Sequence, residues 1–149
     1  MAFARSNKDT IDHLNSFLRG ELSAVESYQL ALDHLSTGSP ARTSLETCMQ
    51  SHSTRVDTLT DMIRRLGGTP ADGAGAWGTF AKAVEGSAAA LGDKAAIAAL
   101  EQGEDHGLKD YVSDVNKLDT DARELVVSTI LPQQEETHRT MSALKKALR

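Results

Sequence analysis

Four stretches of the chain carry apolar residues in alternating steps of three and four, the spacing that gathers side chains on one face of a helix. The first runs Ile11, Leu14, Leu18, position 21, Val25, Tyr28, Leu32 and Leu35, and the second Leu45, Met49, His52, Val56, Leu59, Ile63 and Leu66. The third is Ile97, Leu100 with Glu101, Glu104, Leu108, Tyr111 and Val115, and the fourth Val127, Leu131, Glu135, His138 and Met141. The pattern predicts helices over about 9–36, 40–66, 94–118 and 121–148. Asp9, Ser39 and Asp93 are expected as N-caps, Pro40 suits a first helical turn, and Gly67-Gly68 stops the second helix. Pro132, inside the fourth helix, is expected to kink it one turn before Glu135.

The links between these helices fix the topology. Thr37-Gly38-Ser39 and Asp119-Thr120-Asp121 are short, so each joins an antiparallel hairpin. Residues 67–93 are too long for a tight turn. They suit a crossover along a bundle of about 40 Å, with Trp77, Phe80 and Val84 lining a short extra helix. The fold class is all-α, an antiparallel four-helix bundle in a single domain over 1–149, ordered hairpin, long crossover, hairpin.

Polar residues interrupt every stripe near its centre. Glu21, His52, Glu104, and the pair Glu135-x-x-His138 stand where hydrophobes are expected, and an unpaired buried charge costs several kcal/mol or so. Counting from the two turns puts them at one height. Glu21 lies 17 residues before Gly38 and His52 lies 14 after it, while Glu104 and Glu135 each lie about 15 from the second turn. Carboxylates and imidazoles converging at mid-bundle are the ligand set of iron, manganese or zinc. Glu101, one turn before Glu104, is a further candidate, with Leu100 competing for the inward direction. Glu and Tyr recur seven residues apart as Glu21…Tyr28 and Glu104…Tyr111, and a seam histidine recurs as His52 and His138, as in a duplicated helix pair. Cys48 reads as a small buried hydrophobe, and His13, His34 and His106 as exposed.

Composition narrows the function classes. A single cysteine among 149 residues rules out an internal disulfide framework or a four-cysteine metal module. The net charge of −5 argues against a nucleic-acid surface. No apolar run reaches the roughly 20 residues of a membrane span, and the first residues lack the apolar core of a secretory signal. A cytoplasmic protein is expected.

Leu14-x-x-Phe17-Leu18-x-Gly20-Glu21, Leu66-Gly67-Gly68-x-Pro70 and Gly103-Glu104-Asp105 followed by Tyr111 resemble the corresponding stretches of ferritin-like bundles. The chain is similar to the ferritin and rubrerythrin superfamily, closest to its bacterial families of unknown function. The resemblance implies metal ligands at Glu21, Glu104, Glu135 and His138, with Glu101 and Glu104 like the Glu-x-x-Glu of rubrerythrins. It implies iron, with zinc or manganese as other choices, as one or two ions, a homodimer, and ferroxidase- or peroxidase-like chemistry. Met49 stands where the family pattern would place the Glu partner of His52, which weakens that chemistry. The alternative is a non-enzymatic helical stress or interaction protein whose site is degenerate and metal-free, its carboxylates protonated or paired with histidine.

Overall fold

A computed structural model describes residues 2–148, with side chains described for 7–75 and 77–148. The protein is all-α: among the described residues every regular element is helical. Helix α1 spans Ala2–His34, α2 Arg42–Arg65, α3 Gly78–Leu91 and α4 Asp93–Asp114. Helix α5, Thr120–Leu125, continues through a π-helical turn, Val126–Ile130, into α6, Leu131–Ala147. Helix α1 packs chiefly on α2, and α4 on α6; α1 also meets α4, and α3 lies along α1 and α4. The all-α class stands as expected, with a helix, α3, in the stretch expected to cross over.

The links are built from local chemistry. Gly67, at φ +82°, closes α2: its N–H donates to the Arg64 carbonyl and that of Gly68 to Ile63, a two-bond cap that needs a left-handed residue. Ser39 Oγ accepts from the Ala41 N–H at 3.2 Å and leads into α2. Asp119 caps α5 by accepting from Ala122 N–H. None of the three expected N-caps stands as predicted: the N-cap position of α2 is Ala41, not Ser39, and it carries no side-chain cap bond. Asp9 lies inside α1, which begins well before it. Asp93 starts α4, but its carboxylate accepts from the Ser36 N–H at 3.1 Å, tying α4 to the end of α1.

The core is divided. One apolar cluster gathers Tyr28, Leu32, Leu45, Cys48, Ile97, Leu100 and Met141; the other gathers Leu14, Leu18, Leu59, Ile63, Tyr111, Val126 and Ile130. In each long helix the residues between the two clusters are polar: Glu21 in α1, His52 and Arg55 in α2, Glu104 in α4, Gln134 and Thr137 in α6. The equal heights counted from the turns hold for Glu21, His52 and Glu104, which lie in this buried polar belt.

The last helix corrects the sequence reading. Its buried face is Ala122, Val126, Ile130, Gln134, Thr137 and Met141, whereas Val127 is exposed, as is Glu135. A proline at 132 lacks the N–H for a regular bond and crowds the carbonyl four residues back. The chain answers with a π turn immediately before it. A π turn holds one more residue than an α turn, so steps of four return to one face through it. The inner face from Val126 to Thr137 stands one residue before the one expected. It puts Gln134 and Thr137 inside, where Glu135 and His138 were expected.

Candidate functional site

At the belt, His52 lies between two carboxylates. Its Nδ1 is 2.6 Å from Glu21 Oε1, and its Nε2 is 2.6 Å from Glu104 Oε2. A ring that donates from both nitrogens is an imidazolium. The carboxylates are crossed by the two tyrosines: Tyr28 donates to Glu104 Oε2 at 2.5 Å, and Tyr111 donates to Glu21 Oε2 at 2.6 Å. The Glu-Tyr repeat of α1 and α4 is thus reciprocal, each tyrosine serving the other helix's glutamate. Thr137 donates to Glu104 Oε1 at 2.7 Å, and Gln134 Nε2 donates to the same oxygen at 3.0 Å.

Arg55 completes the arrangement. It follows His52 by three residues, so both leave one face of α2. The side chain is fully buried. Its Nη1 donates to Glu21 Oε2 at 3.4 Å and to Gln134 Oε1, and Nη2 donates to Thr137 Oγ1 at 3.1 Å and Ser51 Oγ at 3.3 Å. Two carboxylates face one guanidinium and one imidazolium, so the formal charges of the four groups cancel.

The titration behaviour follows from this balance. Burial works to raise the Glu21 pKa, but Arg55, His52 and Tyr111 outweigh it and hold the carboxyl below its ordinary value. Glu104 shows the same contest: burial opposes, and His52, Tyr28 and Thr137 win, bringing it down to about 2. For His52, burial favours the neutral ring, and the two glutamates overcome it and raise the pKa. Burial and the facing carboxylates push both tyrosines well above their ordinary range. Burial, with Glu104 beside it, lifts the Cys48 thiol to about 12, so it is no ready nucleophile.

Of the six residues singled out as metal ligands, the structure brings three together: Glu21, His52 and Glu104. Glu135 is exposed on the outer side of α6. His138 is half-buried on the α4–α6 flank, its Nε2 3.6 Å from Asp105 and 3.9 Å from Glu101. Glu101 also stands on that flank, accepting from Ser142 at 3.2 Å and pairing with Lys145 at 3.5 Å, because Leu100 takes the inward direction. Met49 packs against an apolar cluster. The residues missed in the sequence are Arg55, Gln134 and Thr137. For Arg55 the available signal was the run Leu45, Cys48, His52, Arg55, Leu59, an equally regular seam one residue aside.

The donor set does not fit a dinuclear centre. Two divalent ions bring four positive charges, and Arg55 a fifth, against two carboxylates, while α6 offers a neutral amide and hydroxyl. The geometry agrees. The two nitrogens of His52 point apart, so Glu21 and Glu104 sit on opposite edges of the ring and do not face a common point. Among the described residues no group of three or more His, Cys, Asp or Glu side chains is arranged to share a metal ion.

A cavity of about 50 Å³ lies beside the belt, between α1 and α4. Trp77 and Phe80, from the crossover, cover it. They settle over residues without side chains: a Cβ on Gly103 would come within 2.5 Å of the Phe80 ring, and one on Gly20 within 3.7 Å of Trp77. Ser23 Oγ fastens the crossover by donating to the Trp77 carbonyl at 2.9 Å.

Comparison with known proteins places the chain in a family without placing it in a reaction. No curated protein and no solved structure matches it. Residues 9–117 match the model of a domain of unknown function, DUF2383. That span holds Glu21, Tyr28, His52, Arg55, Glu104 and Tyr111, and ends before the helix that carries Gln134 and Thr137. It covers well over half of the chain, which therefore belongs to the DUF2383 family.

Proposed function

We propose that this protein is a ferritin-like bundle whose interior station holds its charge balance with its own cations, and that it acts as a non-enzymatic helical stress or interaction protein. The hairpin–crossover–hairpin order supports the ferritin-like reading. The observation that carries the rest is Arg55, fully buried and hydrogen-bonded to Glu21, Gln134 and Thr137. With protonated His52 it supplies the two positive charges that the glutamates require. A buried charge cluster so satisfied ties four helices at one height, and it offers no unpaired base, acid or nucleophile for turnover.

The test is metal loading. Protein is incubated without oxygen with iron(II), and separately with zinc and manganese, then desalted and measured for bound metal. Wild-type protein and Glu21→Gln are expected to retain equally little. Retention near one ion per chain in wild type, lost in Glu21→Gln, would overturn the proposal. It would favour a second reading, in which Glu21, His52 and Glu104 hold a single iron, zinc or manganese ion for ferroxidase- or peroxidase-like chemistry. That reading rests on Glu21 and Glu104 each standing 2.6 Å from a nitrogen of His52, and it requires the ion to displace the His52 protons next to Arg55 and the two glutamates to turn toward one point.

Among the described residues no helix is long and apolar enough to cross a membrane, in keeping with the cytoplasmic setting we propose. A homodimer is proposed through the outer face of α1 and α2, where Leu22, Val25, Leu30 and Val56 line a groove. Light scattering giving a monomer mass at micromolar concentration would contradict it.

A further inference from the structure

The chain has only six aromatic residues, three Phe, two Tyr and one Trp. Five of them, Phe17, Tyr28, Trp77, Phe80 and Tyr111, line the cavity between α1 and α4. The rings come from three elements far apart in sequence, α1, the crossover with α3, and α4. Phe17 and Tyr111 lie with centroids 4.5 Å apart, and Trp77 meets Phe80 edge-on at 6.3 Å. Three carboxylates reach the same space: Glu21, Glu104 and Asp110. The first two are neutralised by His52 and Arg55. Asp110 is not. It makes no salt bridge among the described residues, and burial, opposed by His106 and aided by Asp114, raises its pKa.

We propose that this cavity binds a small organic cation, an alkylammonium group, held by the aromatic rings and the Asp110 carboxylate. Ring faces carry the negative side of a quadrupole and attract a cation, most strongly in a desolvated setting. A carboxylate lacking a partner supplies the counter-charge. A neutral solute would gain only the contact with the rings, and an anion would meet the unbalanced Asp110 carboxylate. Size limits the ligand. At about 10–15 Å³ for each water-sized group, the cavity holds about three to five non-hydrogen atoms. Methylammonium, trimethylammonium or the end of a longer amine fits that limit. The inference goes beyond the structural role proposed above and does not depend on metal.

The test uses the full-length protein in chelator-containing buffer. Methylammonium chloride is titrated while the fluorescence of Trp77, the only tryptophan of the chain, and the heat of binding are both followed. Sodium chloride at matched ionic strength and ethanol, a neutral molecule of similar size, are the controls. The expected result is saturable binding of methylammonium, no response to sodium chloride, and ethanol weaker by roughly tenfold or more. Asp110→Asn, a change at a half-exposed position, is expected to weaken methylammonium by roughly tenfold and leave ethanol unaltered. No saturable binding by either readout, equal binding of ethanol, or unchanged affinity in Asp110→Asn would each overturn the proposal. The chelator keeps the outcome separate from the metal question, since failure here leaves the Arg55–His52 cluster as it stands.

Discussion

Replacing Arg55 by methionine tests the charge balance of the belt. Methionine follows the arginine stem and keeps most of the packing, so the substitution removes the guanidinium and little else. The loss strips Glu21 of a donor at 3.4 Å and leaves Gln134, Thr137 and Ser51 without their shared partner. It also leaves two carboxylates facing one imidazolium, a net negative charge at a station where Glu21 and Glu104 are both 3% exposed. Removing one partner of a buried ion pair costs about 3–5 kcal/mol, because the other charge stays behind. For a chain of this size that corresponds to a melting temperature lower by about 6–20 °C. A packing role alone predicts a loss of less than about 1.5 kcal/mol. The assay is urea unfolding followed by far-ultraviolet circular dichroism on four proteins: wild type, Arg55→Met, Glu21→Gln, and the double variant. Each single variant leaves one uncompensated charge, and the double variant restores neutrality, so it is expected to recover about 1–3 kcal/mol of the summed losses. Additive losses, or an Arg55→Met protein as stable as wild type, would refute the reasoning.

Three further outcomes follow from the same geometry. Stability depends on pH from two sides: the depressed carboxyls Glu21 and Glu104 contribute fully above their ordinary 4.5 and lose the contribution as pH falls, for Glu104 toward about 2. His52, raised above its ordinary 6.5, contributes fully below that value and loses it as pH climbs through its folded pKa; urea midpoints are thus expected to peak at about pH 5–6, and His52→Gln to flatten the alkaline limb, whereas an unchanged alkaline limb would contradict the assignment. Chelator is expected to leave the thermal midpoint of purified protein unmoved, because a metal bound only by the folded state would stabilise it by mass action; a clear drop would count against a metal-free station. Gly103→Ala is expected to destabilise by about 1–3 kcal/mol, since its Cβ would stand 2.5 Å from the Phe80 ring, and Phe80→Ala in the same chain should relieve most of the strain; thermal melts giving equal losses with and without Phe80 would show that the contact is not the cause.

Much of this architecture was legible in the sequence. The helical hairpins followed from steps of three and four and from short Gly- and Asp-containing links. The common height of Glu21, His52 and Glu104 followed from counting residues out of two turns. The Glu-Tyr repeat signalled a relation between α1 and α4 that the crossed tyrosine bonds now express. The fourth helix was misread because two adjacent apolar seams compete in it: Val127 and Leu131 mark one, and Val126 and Ile130 mark the one that is buried. That one-residue shift exchanges Glu135 and His138 for Gln134 and Thr137, and with them a ligand pair for two neutral hydrogen-bonding groups. Arg55 was hidden by a different limit. A long cationic side chain is usually at the surface, and its burial depends on partners from three other positions on two helices, Glu21, Gln134 and Thr137, that no local pattern reveals.

The protonation of His52 is the point on which the self-neutralised belt stands. It is read most directly by nitrogen-15 magnetic resonance of the imidazole ring at neutral pH, with spectra taken before and after one equivalent of zinc. Both ring nitrogens are expected to carry protons, with signals that zinc leaves in place and that collapse to those of a neutral ring as pH rises through the raised folded pKa. A bare ring nitrogen at neutral pH, or loss of a ring proton in step with added zinc, would contradict the account.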